Sequence, residues 1–381
     1  MAWEAMGMRI ESVEVIPYAL PFREPYVTAR GRLERREMVL LRLRSEDGLT
    51  GLGEAVPLSL RGGVGMDQVV RELTALSDVG TLGRVTGDWI DGNGFDPEWQ
   101  PIANDEQLSA PARCALHTAL LDLHEREAAT PHGPGPIAIV HGRHDPGPIP
   151  CNATLVAGEP RAVAEDALRW ASEGFSTFKL KVGTGNDVEQ VHAVREAVGA
   201  SARIRLDANA SWDLETATAI LKELEPLDVE LVEQPVERIE DAVQLSWRTC
   251  IPLAGDEGIA TEQDAEQALV LGAYRLTGIK LSKVGGLPGG NSIASKLHGY
   301  VSSALDGPVG IAAGARLAQN IHYEGLNPYA PRFAHGLATQ RLFASTIASV
   351  ECEIRDGMLH PPPGPGLGVE IDEQALAAHR L

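Results

Sequence analysis

Over the first fifty residues the apolar positions fall two apart. Val13, Val15 and Pro17 alternate with polar or smaller neighbours, and Val39, Leu41 and Leu43 alternate with Arg42 and Arg44 before a turn at Glu46-Asp47-Gly48. Residues two apart share a face of a strand, so this spacing predicts antiparallel strands. From Ala112 the period changes: Ala112, Ala115, Leu116, Ala119, Leu120 and Leu123 are spaced for a helix with one apolar face. Residues 1–135 therefore read as an α+β unit.

Gly, Pro and Asp become dense between Gly80 and Pro101 and again from Thr130 to Pro150. Both stretches read as loops, the second as a domain boundary. Beyond it, short β-rich runs alternate with helical patterns. The runs are Ile149 to Leu155, Thr177 to Val182, Arg203 to Leu206, Val229 to Val232, Ile251 to Ala254, Leu276 to Leu281 and Tyr300 to Ser303. Between them, Leu214, Ala217, Leu221 and Leu224 share a helical face, and Thr261 is placed to cap another helix. Strands too apolar to have a wet face, each followed by a helix, imply a parallel sheet covered by helices. Six or seven such units over residues 136–350 favour a closed barrel. The tail, 351–381, returns to a loop-rich style with HPPPGPGLGVEID and is expected to pack back on the N-terminal unit.

Composition adds mainly exclusions. At 381 residues with 44% hydrophobic side chains, the chain has ample material for a large core. A formal charge of -20, from 33 Lys+Arg against 53 Asp+Glu, repels phosphate backbones and anionic membranes, so no nucleic-acid partner is expected. Cys114, Cys151, Cys250 and Cys352 are far apart with no CxxC pair, which points to buried free thiols rather than a zinc knuckle or disulfide framework. The start, MAWEAMGMRIESVEV, has no apolar core of signal-peptide length, and no stretch is long and apolar enough to span a bilayer, so a cytoplasmic protein is expected. A homo-oligomer is compatible with all of this.

The chemistry lies in a rhythm. Lys181, Asp207, Glu233, Asp256 and Lys280 follow one another at intervals of 26, 26, 23 and 24 residues, one βα unit each. Each stands at the end of its apolar run: FKLKVG, RIRLDAN, VELVEQP, IPLAGDE, TGIKLSK. In a parallel barrel the C-terminal strand ends converge on one mouth, so five ionisable groups would share one bowl. Three carboxylates facing one another raise each other's pKa unless a cation compensates them. An oxygen-only donor set suits Mg²⁺, or another hard divalent ion such as Mn²⁺, better than zinc. An ion with an amine on either side is an arrangement for removing a proton beside a carboxylate, which makes a small anionic carboxylate the expected substrate. Asp256 is preferred to its neighbour Glu257 as the inward group, Lys181 to Lys179 as the base, and Lys283 reads as a surface charge after its strand.

These residues resemble the enolase superfamily, in its muconate-lactonizing-enzyme subgroup. The resemblance rests on Lys179-x-Lys181, Asp207-x-Asn209, Glu233-Gln234-Pro235, Asp256-Glu257 and Lys280 followed by Gly285-Gly286, with GLGEAVPL at Gly51 to Leu58 resembling the capping-domain signature. It implies a modified TIM barrel, (β/α)7β, beneath an N-terminal α+β capping domain. It also implies Mg²⁺ on Asp207, Glu233 and Asp256, Lys181 and Lys280 as catalytic groups, and Lys179, Asn209, Ser302 and Ser303 toward the substrate.

Two later stretches, YVSSALDGPVGIAA from Tyr300 and AHGLATQRLF from Ala334, are similar to segments of o-succinylbenzoate synthases. That similarity implies a lyase dehydrating a cyclohexadiene carboxylate in menaquinone biosynthesis, with Lys280 acting by charge alone. The chain departs from that pattern at Asp306, where Glu is usual, and at Ala338 and Ser345, in a region where Asp is common. The missing Asp-x-Asp argues against dipeptide epimerases. Racemisation of N-acylamino acids and cycloisomerisation of a muconate stay open. Arg30, Arg32 and Arg61, on the capping stretches Phe22 to Arg32 and Leu58 to Met66, are candidates for meeting the anionic substrate or are plain surface charges.

Overall fold

Three antiparallel strands, β1 (Ile10–Thr28), β2 (Gly31–Ser45) and β3 (Thr50–Ala55), form a meander in which Val13 faces Leu43, Val15 faces Leu41 and Pro17 faces Val39. The computed structural model describes residues 10–28, 31–59, 63–78, 108–130, 147–323 and 333–381. Arg30, Arg61, the stretch Gly80 to Pro101 and the expected boundary near residue 135 lie outside them.

Alternation sorts the meander's side chains between two cores. Val39, Leu41 and Leu43 pack with Val69, Leu73, Ala115, Leu116 and Leu120 from the helices Met66–Asp78 and Ala110–Ala128. Tyr18, Leu20, Met38 and Leu40, one residue out of phase, join the main core that the meander shares with the barrel. The helix Ala110–Ala128 differs from its expected single apolar face: Cys114, His117, Thr118, Leu121, Asp122 and His124 are buried as well. It is wedged between β3 and the helical turn Leu281–Val284, so little of its circumference meets water. Gly51 and Gly53 permit this, since a Cβ on either would lie about 2 Å from a carbonyl oxygen of that helix (2.1 Å from Ala119 O, 1.9 Å from Ala115 O).

The first run expected in the barrel is split. Ile149–Pro150 (β4) pairs antiparallel with Met358–His360 in the tail, and only Ala153–Leu155 (β5) enters the barrel. Pro150 has no N–H for a central ladder, which favours the break there. The parallel sheet then runs in chain order through β6 (Thr177–Lys181), β7 (Arg203–Asp207), β8 (Val229–Glu233), β9 (Leu253–Gly255), β10 (Leu276–Ile279) and β11 (His298–Val301). Closure comes from a two-residue contact absent from the predicted strands. His335 bridges Cys151 and Gly336 bridges Ser302, both in parallel sense, with Asn152 N donating to His335 O at 2.9 Å and Ser303 N to Gly336 O at 3.0 Å.

Inside, Leu231, Ala254, Leu276 and Tyr300 form the barrel floor. Outside, Leu214–Leu224 buries Ala217, Leu221 and Leu224, and Thr261 starts Glu262–Leu271 with a reciprocal capping box to Asp264. The last helix, Glu373–His379, contacts β1, and Leu381 N donates to Pro17 O at 3.0 Å. Three cysteines are buried, their thiols pushed up to about 12 chiefly by burial, whereas Cys250 is exposed, against expectation, in the loop before β9. Among the described residues no helix is long and apolar enough to cross a membrane.

Candidate active site

Inward positions on the barrel strands are two apart, so each last inward residue stands two beyond a floor or wall residue. Asp207 follows Arg205, Glu233 follows Leu231, Asp256 follows Ala254, Lys280 follows Gly278 and Ser302 follows Tyr300. Register brings Lys181 level with Asp207 and Asp207 level with Glu233. All five residues of the sequence rhythm are buried together at the strand ends.

Amines and carboxylates interleave there. Lys181 Nζ donates to Asp207 Oδ2 at 2.6 Å and to Asn209 Oδ1 at 3.1 Å. Lys179, expected only toward the substrate, is inserted in the row: its Nζ lies 2.6 Å from Glu233 Oε2 and 2.9 Å from Asp207 Oδ2. Lys280 Nζ is paired with Asp256 Oδ2 and lies 3.9 Å from Glu233 Oε1. Burial opposes the charged form of Asp207, but Lys179 and Lys181 outweigh it and hold its carboxyl below the usual range. Glu233 goes the other way: burial, aided by Asp207 and Asp256, raises it despite Lys179. Lys179 and Lys181 are disfavoured as cations by burial, yet Asp207 beside both raises them.

Lys283 corrects the sequence reading. It is not a surface charge: the turn Leu281–Val284 folds it back so that its Nζ donates to Asp256 Oδ1 at 2.8 Å, and its side chain is only 10% exposed. Asp256 is therefore the buried, inward acid of the Asp-Glu pair, gripped on both oxygens, while Glu257 accepts from Asn209 Nδ2 at 3.1 Å.

Gln234 is a further residue that strand spacing did not single out. Its Oε1 receives Asp256 N at 2.9 Å and Gly258 N at 3.1 Å, which fixes the turn carrying Asp256. Asn209, Ala210 and Gln234 have positive φ (47°, 58° and 40°), a conformation costing non-glycine residues roughly 1–3 kcal/mol each. Hydrogen bonds hold it in place: Asn209 N to Asp207 Oδ1 at 3.2 Å, Ala210 N to Gln234 O at 2.7 Å and Gln234 N to Ala254 O at 2.8 Å.

The substrate-side candidates divide. Ser302 lies on the closing seam beside Gly336. Ser303 is turned away onto Asp306, with its Oγ donating to Oδ2 at 2.7 Å and accepting from Asp306 N at 2.8 Å. Arg32 is exposed and pairs with Glu34 at 2.9 Å.

Among the described residues no three acidic, histidine or cysteine side chains converge as a ready-made metal site, because the three carboxylates are turned onto ammonium groups. The donor set still fits a hard divalent ion. It consists of three buried carboxylates, and Glu233 Oε1 is a buried oxygen without a hydrogen-bond partner.

Comparison with known proteins bears on the chain as a whole. Residues 10–132 match the family description "Mandelate racemase / muconate lactonizing enzyme, N-terminal domain", and 162–375 match "Enolase C-terminal domain-like". The chain is 34% identical over 238 residues to the o-succinylbenzoate synthase of Thermobifida fusca (strain YX), covering 60% of this chain and 70% of that one. The muconate lactonizing enzyme of Pseudomonas fluorescens, solved with muconolactone, superposes with a TM-score of 0.86 at 25% identity, covering 98% and 100% of the two chains. The dipeptide epimerase of Cytophaga hutchinsonii, solved with Mg and the dipeptide D-Ala-L-Val, superposes with a TM-score of 0.80 at 25% identity, covering 98% of each.

Proposed function

Because the chain belongs to the enolase superfamily, within its muconate-lactonizing-enzyme subgroup, we propose that it removes the proton alpha to a carboxylate, and that the reaction it completes is the dehydration yielding o-succinylbenzoate. The observation that carries the proton-transfer reading is spatial: buried amines on β6 and just after β10 flank three buried carboxylates contributed by the strands between.

Lys181, oriented by Asp207 and Asn209, takes the alpha proton at Nζ. When bound by Asp207, Glu233 and Asp256, Mg²⁺ or Mn²⁺ would supply electrostatic stabilisation for charge developing on the substrate carboxylate. Lys280, across the row and fastened to Asp256, stays protonated and holds positive charge toward the substrate ring while the hydroxyl leaves as water with the proton that Lys181 took. Ser302, on the seam beside the mouth, is assigned to substrate contact.

The finer assignment is supported by the 34% identity to a synthase and by the stretch around the closing contact at His335 and Gly336. From Pro331 to Val350 there is no acidic residue, so this stretch offers no carboxylate to the ammonium of a dipeptide. The competing reading is racemisation of an N-acylamino acid, in which Lys280 would deliver a proton to the opposite face.

One pair of assays separates them. With Mg²⁺ the hydroxyl-bearing cyclohexadiene carboxylate should be converted to its aromatic product, followed by ultraviolet absorbance, and a chelator should stop it. An N-succinylamino acid incubated in D₂O should show no alpha-deuteration by NMR. Deuteration without dehydration would assign the protein to racemisation instead.

A further inference from the structure

The floor of the barrel holds a polar contact that proton transfer does not require. Tyr300, fully buried, points its phenol up from the floor and donates to Glu233 Oε2 at 2.6 Å. That oxygen also receives Lys179, whereas Oε1 accepts no hydrogen bond. The two oxygens of one carboxylate are thus made unequal, one saturated from below and one left over.

The phenol cannot easily swing aside. Arg205, buried to within 1% of its side-chain surface, lies beneath it with its guanidinium 5.0 Å from the Tyr300 ring centroid and 5.4 Å from that of Phe333. Arg205 is itself anchored to Glu230 and, through its Nη1, to Ala334 O at 2.6 Å, beside the closing seam. An unbroken series of contacts therefore runs from the seam through Arg205 and Tyr300 to Glu233.

We propose that Tyr300 is a positioning residue for the divalent cation: by occupying Oε2 it presents Glu233 through Oε1 alone, and Arg205 keeps the phenol in register. This rests on the cation reading above. Groups that orient a metal's ligands typically change its affinity 10–100-fold when removed, without touching it.

The experiment titrates Mn²⁺ into the full chain by calorimetry, with no substrate present, for the wild type, Tyr300→Phe and Arg205→Lys, and records each apo-protein Tm. Expected are about a tenfold weaker Kd for Tyr300→Phe and two- to threefold for Arg205→Lys, with Arg205→Lys deciding alone if Tyr300→Phe does not fold. A merely structural role would lower Tm and leave Kd where it is. A wild-type Kd retained within twofold by the folded variants overturns the inference while leaving the cation reading intact. A wild type that binds no Mn²⁺ overturns both.

Discussion

Asp207 at the barrel mouth and Glu54 where the meander meets the barrel are both buried, and they behave oppositely. At the barrel mouth Asp207 sits between two ammonium groups and is held below the usual carboxylate range. Where the meander meets the barrel, Glu54 accepts Tyr18 Oη at 2.9 Å and Gly307 N at 2.7 Å and faces a second acid, Asp306. Burial there, with Asp306 adding to it, pushes Glu54 up to about 7. Asp306 is likewise raised, chiefly by burial, with Arg36 only partly opposing. The depth is the same and the partners differ. At Asp207 two ammonium groups outweigh the loss of water, whereas the hydroxyl and amide dipoles at Glu54 offset it only in part.

The largest expected effect breaks the mouth. Lys181→Ala should lower kcat for the dehydration by about 10³-fold, the scale of a lost general base, as followed by ultraviolet absorbance of the aromatic product. Full turnover on the true substrate would refute the role given to Lys181.

Next comes the interface. Glu54 holds its proton in the folded chain up to about pH 7 but in the unfolded chain only to about 4.5, so stability should fall as pH rises between those values. The loss is on the order of 3 kcal/mol. Asp207 has the opposite sign, its contribution persisting above the ordinary carboxylate range and vanishing only in strong acid. Urea unfolding from pH 5 to 8 should therefore show a downward slope that Glu54→Gln flattens. An unchanged slope would remove Glu54 as its source.

A smaller effect sharpens the account of Asp256. Lys283→Met removes the hydrogen bond to Asp256 Oδ1 and should reduce kcat about tenfold, measured at saturating Mg²⁺. The smallest is a control outside both regions: Arg32→Ala, which removes an exposed pair with Glu34, should change stability by less than about 0.5 kcal/mol in the same urea assay.

What could be read beforehand follows from the range of the forces involved. The alternation in FKLKVG or RIRLDAN is local, and a charge at the end of such a run identifies a strand terminus without knowledge of the neighbours. The family match added the capping domain to the barrel. Lys283 was misread because its direction depends on how the turn Leu281–Val284 is pressed onto the helix Ala110–Ala128, a contact between residues far apart in the chain. The closing contact at His335–Gly336 was missed since two residues held by backbone bonds carry no side-chain period. Tyr300 was legible only as part of a β-rich run, its phenol acquiring a partner only when β8 and β11 curve into one barrel.

Gly51 and Gly53, which let the helix Ala110–Ala128 press on β3, bear on how such proteins can be recombined. That helix touches the meander on one side and, on the other, the turn that aims Lys283 at Asp256. A chimera taking its cap from a relative with a crossover before residue 110 would part the helix from the strand shaped to receive it. Placed after residue 130, the crossover keeps helix and meander together, and the surface to be matched by design becomes the helix's contact with Leu281–Val284.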